Sequence, residues 1–596
     1  MRKEYKKIRW ADERAAHFIE CEKEFHLGGL VTEQSHPATA SLSDLAKKDI
    51  PAALRLLLSV DYDIAEMLAR SATADFISEI AEAMARSLSA GGRIIFTGCG
   101  ATGRLAILLD AMWRRWWKNT IPSGRSHLPY AENRVVSVMA GGDYALIRSV
   151  EGYEDCAGFG VRQMRDLNVS SRDLVIAVTE GGETSFVIGT ARAAADAFAN
   201  VFFVYNNPDS VLLHIRRSRE ILEDSRIRKI CLATGPMAIM GSTRMQAVTA
   251  EFVVLGFSLE CALRQCLKIK KLPHRGMVDR LFIQVLKDIR AQESITTLSS
   301  LVSLESQIYR ESGLITYLAD TFSLDLLTDT TERFPTFLVP PFIQAKDKKN
   351  PLPWAYMVRP ELSSSAAWRN LLARKFNDIK WGRKEIEDMS GKEFAVERFP
   401  DLSARAITGF DISSRSLKRR LRGETDGFIV FAGDQDLRKN SLLSSAGRAL
   451  RYAGNKTRKT ALVLFTNCRQ AHDISRFLKP YEISVPVYQI ALHDDRTLLQ
   501  IFQHVAFKMC INAFSTVTMT VMGRVMGNCM VYVSPGNKKL IDRASRFISQ
   551  LTGRSYADSC NALFHSMDLC ARERNKGVML SPVLTAVELL SQKSKH

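Results

Sequence analysis

The sequence predicts an α/β protein with two parallel-sheet domains followed by an α-helical segment. Two observations favour this fold class. Short apolar runs alternate with longer helical stretches over most of the chain. The chain has 596 residues, which is too long for one ordinary core. We therefore expect two or three domains of roughly 100 to 200 residues each.

The predicted strands form two groups along the chain. In the first half they are RIIFT (93–97), RVVSVMA (134–140), DLVIAVT (173–179), NVFFVY (200–205) and KICLA (229–233). In the second half they are GLITYL (313–318), PTFLV (335–339), GFIVFA (427–432), TALVLF (460–465) and VPVYQI (485–490). Runs that are apolar throughout are typical of parallel strands covered by helices on both faces.

The boundary between the two domains is predicted at residues 268–276, KIKKLPHRG. This segment is charged and contains Pro273, so it suits a surface linker or the turn after a long helix that begins near Thr243. After about residue 496 the sequence becomes helical and rich in Met. The last hundred or so residues are therefore predicted to form a separate α-helical segment.

The composition is that of a globular protein. Apolar residues make up 46% and charged residues 24% of the chain, and no uninterrupted apolar run approaches the roughly 18 residues of a membrane helix. The basic start, MRKEYKKIRW, has no apolar core behind it, so we expect no signal peptide and a cytoplasmic protein. Eleven scattered cysteines without a C-x-x-C pair suggest neither a zinc site nor disulfides, and no metal or cofactor is expected.

The net charge of +18 suits an anionic partner. Nucleic acid, a membrane surface and a phosphorylated metabolite all fit that charge. The densest cluster, from Arg415 to Arg422, lies beside neither a DNA-reading helix pair nor an aromatic stacking platform, so we expect no nucleic-acid partner.

The strongest local signal is the segment RIIFTGCGATGRLAILLDAMW, where a strand runs through glycines directly into a helix. The first N–H groups and the dipole of such a helix favour an anion. We expect a phosphate cradle in the turn from Gly98 to Arg104. Its glycines would let the backbone approach the ligand, and a threonine hydroxyl would donate a further bond. The residues predicted to bind are Gly98, Gly100, Ala101, Thr102 and Gly103.

The same turn satisfies G-x-G-x-x-G, so a dinucleotide-binding enzyme is an alternative. That fingerprint also requires an acidic residue about 20 residues further on, at the end of the second strand. Here the helix runs into Arg114, Arg115, Trp116 and Trp117, and the first acid after the next strand is Asp143. The nicotinamide alternative is therefore disfavoured.

Two further strands lead into polar turns that precede helices. The first turn supplies Gly181, Glu183 and Thr184, and the second supplies Ser242 and Thr243. Loops after the carboxyl ends of parallel strands share one edge of the sheet, so these turns are predicted to converge with the glycine turn. Taken singly, each could equally be an ordinary helix cap.

The segment VEGYED supplies candidate carboxylates at helical spacing, Glu151, Glu154 and Asp155. A carboxylate in a sugar pocket can hold hydroxyls, or act as a base if burial raises its pKa. The same spacing also fits a solvated helix face.

Taken together, these motifs resemble the sugar isomerase (SIS) domain superfamily, in the branch shared by N-acetylmuramic acid 6-phosphate etherases and glucokinase regulatory proteins. The similar segments, which fall between about residues 30 and 260, are LVTEQSHPAT (30–39), GCGATGRL (98–105), AGGDYAL (140–146), VEGYED (150–155) and GPMAIMGSTRM (235–245). As a set they are highly specific.

The length of the chain favours one member of that branch. Etherases are single-SIS chains, whereas glucokinase regulatory proteins carry two SIS domains and a helical lid. The resemblance therefore implies two SIS-type, flavodoxin-like parallel-sheet domains followed by an α-helical lid. The expected divisions are a 1–45 extension, SIS domains at 46–265 and 275–495, and a 496–596 lid.

The resemblance also implies ligands, partners and residue roles. It implies a fructose- or hexosamine-type phosphate as ligand and, by family analogy alone, a sugar kinase as partner. DTTERFPTF (329–337) and FKMCINAFSTVTMTVMGRVMGNCMV (507–531) look like second-domain and lid segments of the regulatory proteins. By that resemblance Glu332 would meet sugar hydroxyls and Lys508 would reach the phosphate.

The departures from the etherase pattern bear on activity. Etherases expel lactate by proton abstraction and leaving-group protonation, which the family assigns to two glutamates. Glu154 aligns with the base, but the other position falls on Met112, which cannot donate a proton. The branch signature is also eroded, with Met237, Met240 and Gln246 in place of its Glu, Thr and Lys.

Two function hypotheses follow. The first is a phosphosugar-binding sensor whose ligand biases the lid, without efficient ether cleavage. The alternative is an etherase-like lyase, or another sugar-phosphate lyase or isomerase, that uses Glu154 with Glu151, Glu180 or Glu183.

Overall fold

Two five-stranded parallel sheets organise the chain. A computed structural model describes residues 2–120, 130–150, 152–269, 277–390, 399–438, 440–467, 485–493, 495–574 and 579–592. The first sheet has the order β2-β1-β3-β4-β5. Its strands are β1 (Ile94–Gly98), β2 (Val135–Met139), β3 (Leu174–Val178), β4 (Asn200–Tyr205) and β5 (Ile227–Cys231).

The middle of the first sheet is buried on both faces. Ile94 lies opposite Val135 on one side and Leu174 on the other, and every residue of β1 and β3 is buried. Full burial explains why these strands read as unbroken apolar runs in the sequence.

Helices precede and cover this sheet. Those before it are α1 (Arg2–Cys21), α2 (Leu42–Lys48), α3 (Ile50–Ser59), α4 (Tyr62–Ala69) and α5 (Ser71–Ser89). Those within or after it are α6 (Gly100–Thr120), α7 (Ala157–Asp166), α8 (Ser185–Asp196), α9 (Asp209–Leu212), α10 (Arg216–Leu222) and α11 (Gln246–Cys266).

The second sheet repeats the same topology. Its order is β10-β9-β8-β6-β7, which is the order of the first sheet read from the opposite edge. Its strands are β6 (Ile315–Leu318), β7 (Ala355–Met357), β8 (Gly427–Gly433), β9 (Thr460–Thr466) and β10 (Val487–Ala491). This 2-1-3-4-5 order is the flavodoxin-like one, so the predicted fold class is confirmed.

The remaining helices cover the second sheet and extend the chain. Those around the sheet are α12 (Val278–Arg290), α13 (Gln292–Arg310), α14 (Ser323–Phe337), α15 (Ser364–Leu372), α16 (Arg383–Ser390), α17 (Ala404–Thr408), α18 (Ser414–Arg420), α19 (Asp434–Arg438) and α20 (Asn440–Gly454). The C-terminal helices are α21 (Ile501–Val521), α22 (Lys538–Thr552), α23 (Tyr556–Arg574) and α24 (Pro582–Gln592).

One predicted strand is wrong, and one strand was not predicted. PTFLV (335–339) forms the end of α14 and its left-handed cap at Leu338, not a strand. A short apolar run buried on all sides reads the same way in either conformation, which is why the sequence misled here. The second strand of this sheet is instead the three-residue β7, which follows the proline-rich segment KNPLPW.

The predicted lid differs from the observed helices. Its first helix, α21, is buried along almost its whole length and packs against α2, α3, α11, α13 and α14. It is therefore a core helix joining the two domains. The next helix, α22, lies over the first domain and forms one wall of the cavity described below. The predicted domain limits stay predictions, because 270–276 lie outside the described residues.

The two domains are joined by buried ion pairs as well as by apolar packing. Arg374 of the second domain contacts Asp110 at 2.9 Å and Asp143 at 2.6 Å, both in the first domain. In the part of the chain that the structure describes, α11 is the one helix long and apolar enough to cross a membrane. Of its most apolar stretch of 18 residues, 94% is buried inside the protein.

Candidate functional site

A cavity of about 790 Å³ lies at the carboxyl edge of the first sheet. All three polar turns singled out in the sequence reach it, through residues 99–101 and Arg104, through Glu180 and Thr184, and through residues 241–244. The second domain and the C-terminal helices complete the wall with Glu332, Phe334, Pro335, Thr336, Ser534, Asn537, Lys539 and Arg543. One cavity is therefore built from three parts of the chain.

The glycine turn contributes less to this cavity than the sequence suggests. A Cβ at Gly98 would lie 2.6 Å from the Gly103 nitrogen, and one at Gly103 would lie 2.6 Å from the Met139 side chain. These two glycines let β1 and the first turn of α6 pack closely, and they do not line the cavity. Of the five residues predicted to bind in this turn, the two that line the cavity are Ala101 and Gly100, which has a φ of +56° and open space beside it.

The Thr102 hydroxyl also turns inward. It donates to the Cys99 carbonyl at 2.8 Å and accepts the Cys99 N–H at 3.0 Å, and the residue is 1% exposed. These two hydrogen bonds close the turn, and a bond from this hydroxyl to a ligand stays a prediction. The positive end of α6 still meets the cavity at Gly100.

Glu154 is the carboxylate that projects into the cavity from the VEGYED segment. The described residues 152–156 form a turn, and helix α7 begins only at Ala157, so the helical spacing assumed from the sequence is wrong. Glu151 lies outside the described residues. The Cys99 thiol donates to Glu154 Oε2 at 3.2 Å, and the Asn537 amide donates to Oε1. Burial raises the pKa of Glu154, whereas the charge of Lys539 opposes that rise.

Glu180 and Glu183 lie in the same turn but in opposite electrostatic surroundings. Burial raises the pKa of Glu180 to about 7, and the Thr243 hydroxyl donates to its carboxylate at 3.3 Å. Although burial would raise the pKa of Glu183, Lys539 at 3.0 Å and Arg217 at 2.7 Å lower it to about 2. Glu180 can therefore exchange a proton near neutral pH, whereas Glu183 stays a carboxylate.

The remaining predicted residues of these turns lie either in the cavity wall or in the layer behind it. Thr184, Ser242 and Thr243 line the cavity. The Gly181 carbonyl accepts the Asn207 side-chain amide at 3.0 Å, so this residue supports the turn from behind.

Glu332 reaches the cavity from the second domain. Its carboxylate pairs with the Arg104 guanidinium at 2.8 Å, and Arg104 is 2% exposed. Arg244, which also lines the cavity, contacts Asp329 on the same helix as Glu332 at 3.2 Å. Two arginines of the first domain are thereby held by two acids of α14.

Lys508 lies behind the cavity. Its ammonium donates to the Arg244 carbonyl at 2.7 Å and to the Thr249 hydroxyl at 2.8 Å, and it is absent from the cavity wall among the described residues. Burial lowers its pKa to about 8. Its role at a phosphate stays a prediction, and in this structure it supports the turn of residues 241–244.

Helix α22 contributes residues to the site that were not predicted from the sequence. Asn537 caps this helix by accepting the Leu540 N–H at 2.8 Å, and Lys539 and Arg543 follow on one face. Arg543 and Arg546 pair with Glu33 at 2.6 Å and 2.8 Å. Glu33 is fully buried, and these arginines lower its pKa to about 2 despite that burial. An Asn cap followed by basic residues at helical spacing was the available signal.

The position expected for the second catalytic acid holds no acid. Met112 is 4% exposed in the core of the first domain. Asp110 is bound by Arg114 at 2.5 Å and by Arg374, so it is committed to the domain junction. In the described ranges no cluster of three or more His, Cys, Asp or Glu side chains could hold a metal ion.

Comparison with known proteins identifies relatives of part of the chain. The model of the glucokinase regulatory protein N-terminal SIS domain matches residues 76–195. The N-acetylmuramic acid 6-phosphate etherase of Yersinia pestis (strain Pestoides F) is 30% identical over 265 residues, which is 42% of this chain and 76% of the relative. The same enzyme of Yersinia pseudotuberculosis (serotype O:1b, strain IP 31758) gives the same values.

Among solved structures, the tagatose-6-phosphate ketose/aldose isomerase of Escherichia coli is similar with a TM-score of 0.37 and 12% identity. The match covers 77% of this chain and 94% of that one.

Proposed function

Because the chain belongs to the family of SIS-domain proteins that contains the N-acetylmuramic acid 6-phosphate etherases, we propose that it binds a phosphorylated amino sugar and cleaves it by etherase-type elimination. Its first domain is a phosphosugar-binding SIS domain. The observation that carries the proposal is that Glu154 and Glu180, two carboxyls with raised pKa values, line one cavity.

The phosphate of the ligand would bind at the positive end of α6. Gly100 and Ala101 present backbone there, and Arg104 and Arg244 supply charge from the same cavity wall. The sugar hydroxyls would then face the acids, including Glu332 from the second domain. A hexosamine phosphate suits this mixture of cationic and acidic groups.

Glu154 is proposed as the base. The thiol of Cys99 and the amide of Asn537 both donate to its oxygens, and such donors favour the carboxylate. The elimination needs a carboxylate to abstract a proton from the sugar, and these two hydrogen bonds oppose the effect of burial on Glu154 and orient it for that step.

Glu180 is proposed as the acid that protonates the leaving oxygen. With a pKa of about 7 it carries a proton for much of the time at neutral pH. The methionine at position 112 argued against catalysis from the sequence. A second protonatable carboxyl in the same cavity supplies an acid from another element and weakens that argument.

The test is lactate release from N-acetylmuramic acid 6-phosphate. We expect catalytic release by the natural protein and a loss of about 10² to 10⁴ in rate in Glu154→Gln and in Glu180→Gln. Asp61→Asn is the matched control, because Asp61 is another buried carboxyl, with its pKa raised to about 7, that does not line the cavity. Equal loss in the control would sink the assignment of roles.

A sensor resembling the glucokinase regulatory proteins is the second candidate. It is favoured by the family model that matches residues 76–195 and by the cavity wall, which joins both domains to α22. A ligand that contacts all three parts would bias the position of α22. Thermal stabilisation by fructose 6-phosphate or fructose 1-phosphate, with no lactate from the etherase substrate, would favour this candidate. A sugar kinase partner is proposed by analogy only.

A further inference from the structure

The second domain contains a counterpart of the glycine turn. Because both sheets have the same strand order, β6 occupies the place of β1, and residues 319–322 lead into α14 as residues 98–100 lead into α6. In the first domain the corresponding turn faces the cavity at Gly100. The two turns can therefore be compared within one chain.

A carboxylate of the protein itself fills the counterpart turn. Asp436 Oδ1 accepts the Thr321 N–H at 3.2 Å and the Thr321 hydroxyl at 2.7 Å, and Oδ2 accepts the Gly433 N–H at 2.8 Å. Asp436 is 2% exposed. The Thr321 N–H and hydroxyl are the kind of donors that a bound phosphate uses, whereas the bond from Gly433 caps α19, the helix that carries Asp436.

The local chain path explains how Asp436 reaches this position. In the first domain, β3 is followed by the turn of residues 179–184, two of whose side chains line the cavity. In the second domain, the equivalent strand β8 is followed at once by the short helix α19, which carries Asp436 over Thr321. The shorter connection replaces a cavity-facing turn with a carboxylate.

Two arginines lie around the filled turn and are themselves bound to other protein groups. Arg115 from the first domain donates to the Thr321 carbonyl at 3.3 Å and to the Ser323 hydroxyl at 3.2 Å. Arg359 pairs with Asp320 at 2.7 Å. Positive charge that could attract a phosphate is thus already bound to protein groups.

We propose that Asp436 is an internal anion that takes the place of a ligand phosphate in the second domain, so that one chain binds one sugar phosphate, in the first domain. The proposal rests on the proposed function only in treating the first turn as an anion site.

The experiment is calorimetric titration with inorganic phosphate of the full chain and of Asp436→Ala. We expect the variant to bind one more phosphate per chain, and its melting temperature to rise with phosphate more than that of the natural protein. Asp436→Asn is the matched control, since it keeps the volume and fills the turn without charge, and it should gain no phosphate. A folded Asp436→Ala that binds no additional phosphate would overturn the proposal.

A second variant decides the case if Asp436→Ala does not fold. Gly100 has open space beside it, so Gly100→Asp places a carboxylate in the first turn, with Gly100→Asn as its neutral control. We expect Gly100→Asp to lose all phosphate binding, whereas a remaining phosphate bound to the second domain would contradict the inference. If the natural protein binds no phosphate, the proposed function fails, but a phosphate gained by Asp436→Ala still supports the internal anion.

Discussion

At the scale of single residues, the same residue type serves different purposes within a few positions. Gly98 and Gly103 allow two pieces of backbone to touch, whereas Gly100 faces the cavity. Glu180 and Glu183 differ as sharply, because only Glu183 has two cations beside it. The sequence predicted that these residues lie at one edge of the sheet, but it could not assign them to the wall of the cavity or to the layer behind it.

Substituting the glycines should separate packing from ligand contact. In Gly98→Ala the new methyl would lie 2.6 Å from backbone atoms of Thr102 and Gly103, which cannot move without disturbing α6. We expect a loss of about 3 kcal/mol or more in the free energy of unfolding. Gly100→Asn meets no neighbour and should cost less than about 1 kcal/mol, since Asn tolerates positive φ. Urea unfolding compares the two, and equal losses would contradict the assignment.

At the scale of elements, the predictions succeeded where one element was buried on both faces. Runs such as DLVIAVT and TALVLF became the central strands β3 and β9 because a parallel sheet covered by helices needs unbroken apolar sequence. PTFLV failed because its burial comes from the end of a helix. The role of α22 was not predicted, because in the sequence its basic residues resemble a solvent-exposed helix face. Glu33, the carboxylate that pairs with them, lies more than 500 positions earlier in the chain.

Removing one cation of α22 should loosen that helix. Arg543→Ala leaves the fully buried Glu33 with Arg546 and the more distant Lys539, so we expect a loss of about 3 kcal/mol in the free energy of unfolding. Glu33→Gln in the same chain should recover part of that loss, because the uncompensated charge disappears. Arg572→Ala, on the exposed side of α23, is the control and should change stability by less than about 0.5 kcal/mol.

At the scale of the whole molecule, several buried acids make stability depend on pH. Burial raises the pKa of Asp61 to about 7, although Gln246 donates to it at 2.8 Å, and Glu180 is raised to a similar value. Between about pH 4 and 7 the folded chain holds protons that the unfolded chain has released, so stability falls as pH rises through this window. Glu33 and Glu183, whose pKa values are lowered to about 2, change charge in the folded chain only below this pH window.

We therefore expect a higher melting temperature at pH 5.5 than at pH 7.5, by several degrees. Asp61→Asn should reduce this difference in melting temperature, because a buried amide is neutral at both pH values and takes up no proton on folding. Asp44→Asn, at an exposed position on α2, should leave it unchanged. A melting temperature that rises between the two pH values in the natural protein would contradict the expected sign.

The ion pair between Arg104 and Glu332 also means that the cavity wall is completed within one chain. Both residues belong to one polypeptide, so the contact that completes the cavity wall forms by a first-order event. Dilution opposes the meeting of separate chains, but it does not oppose the closing of a tethered contact. Ligand affinity measured at nanomolar and at micromolar protein should therefore be the same.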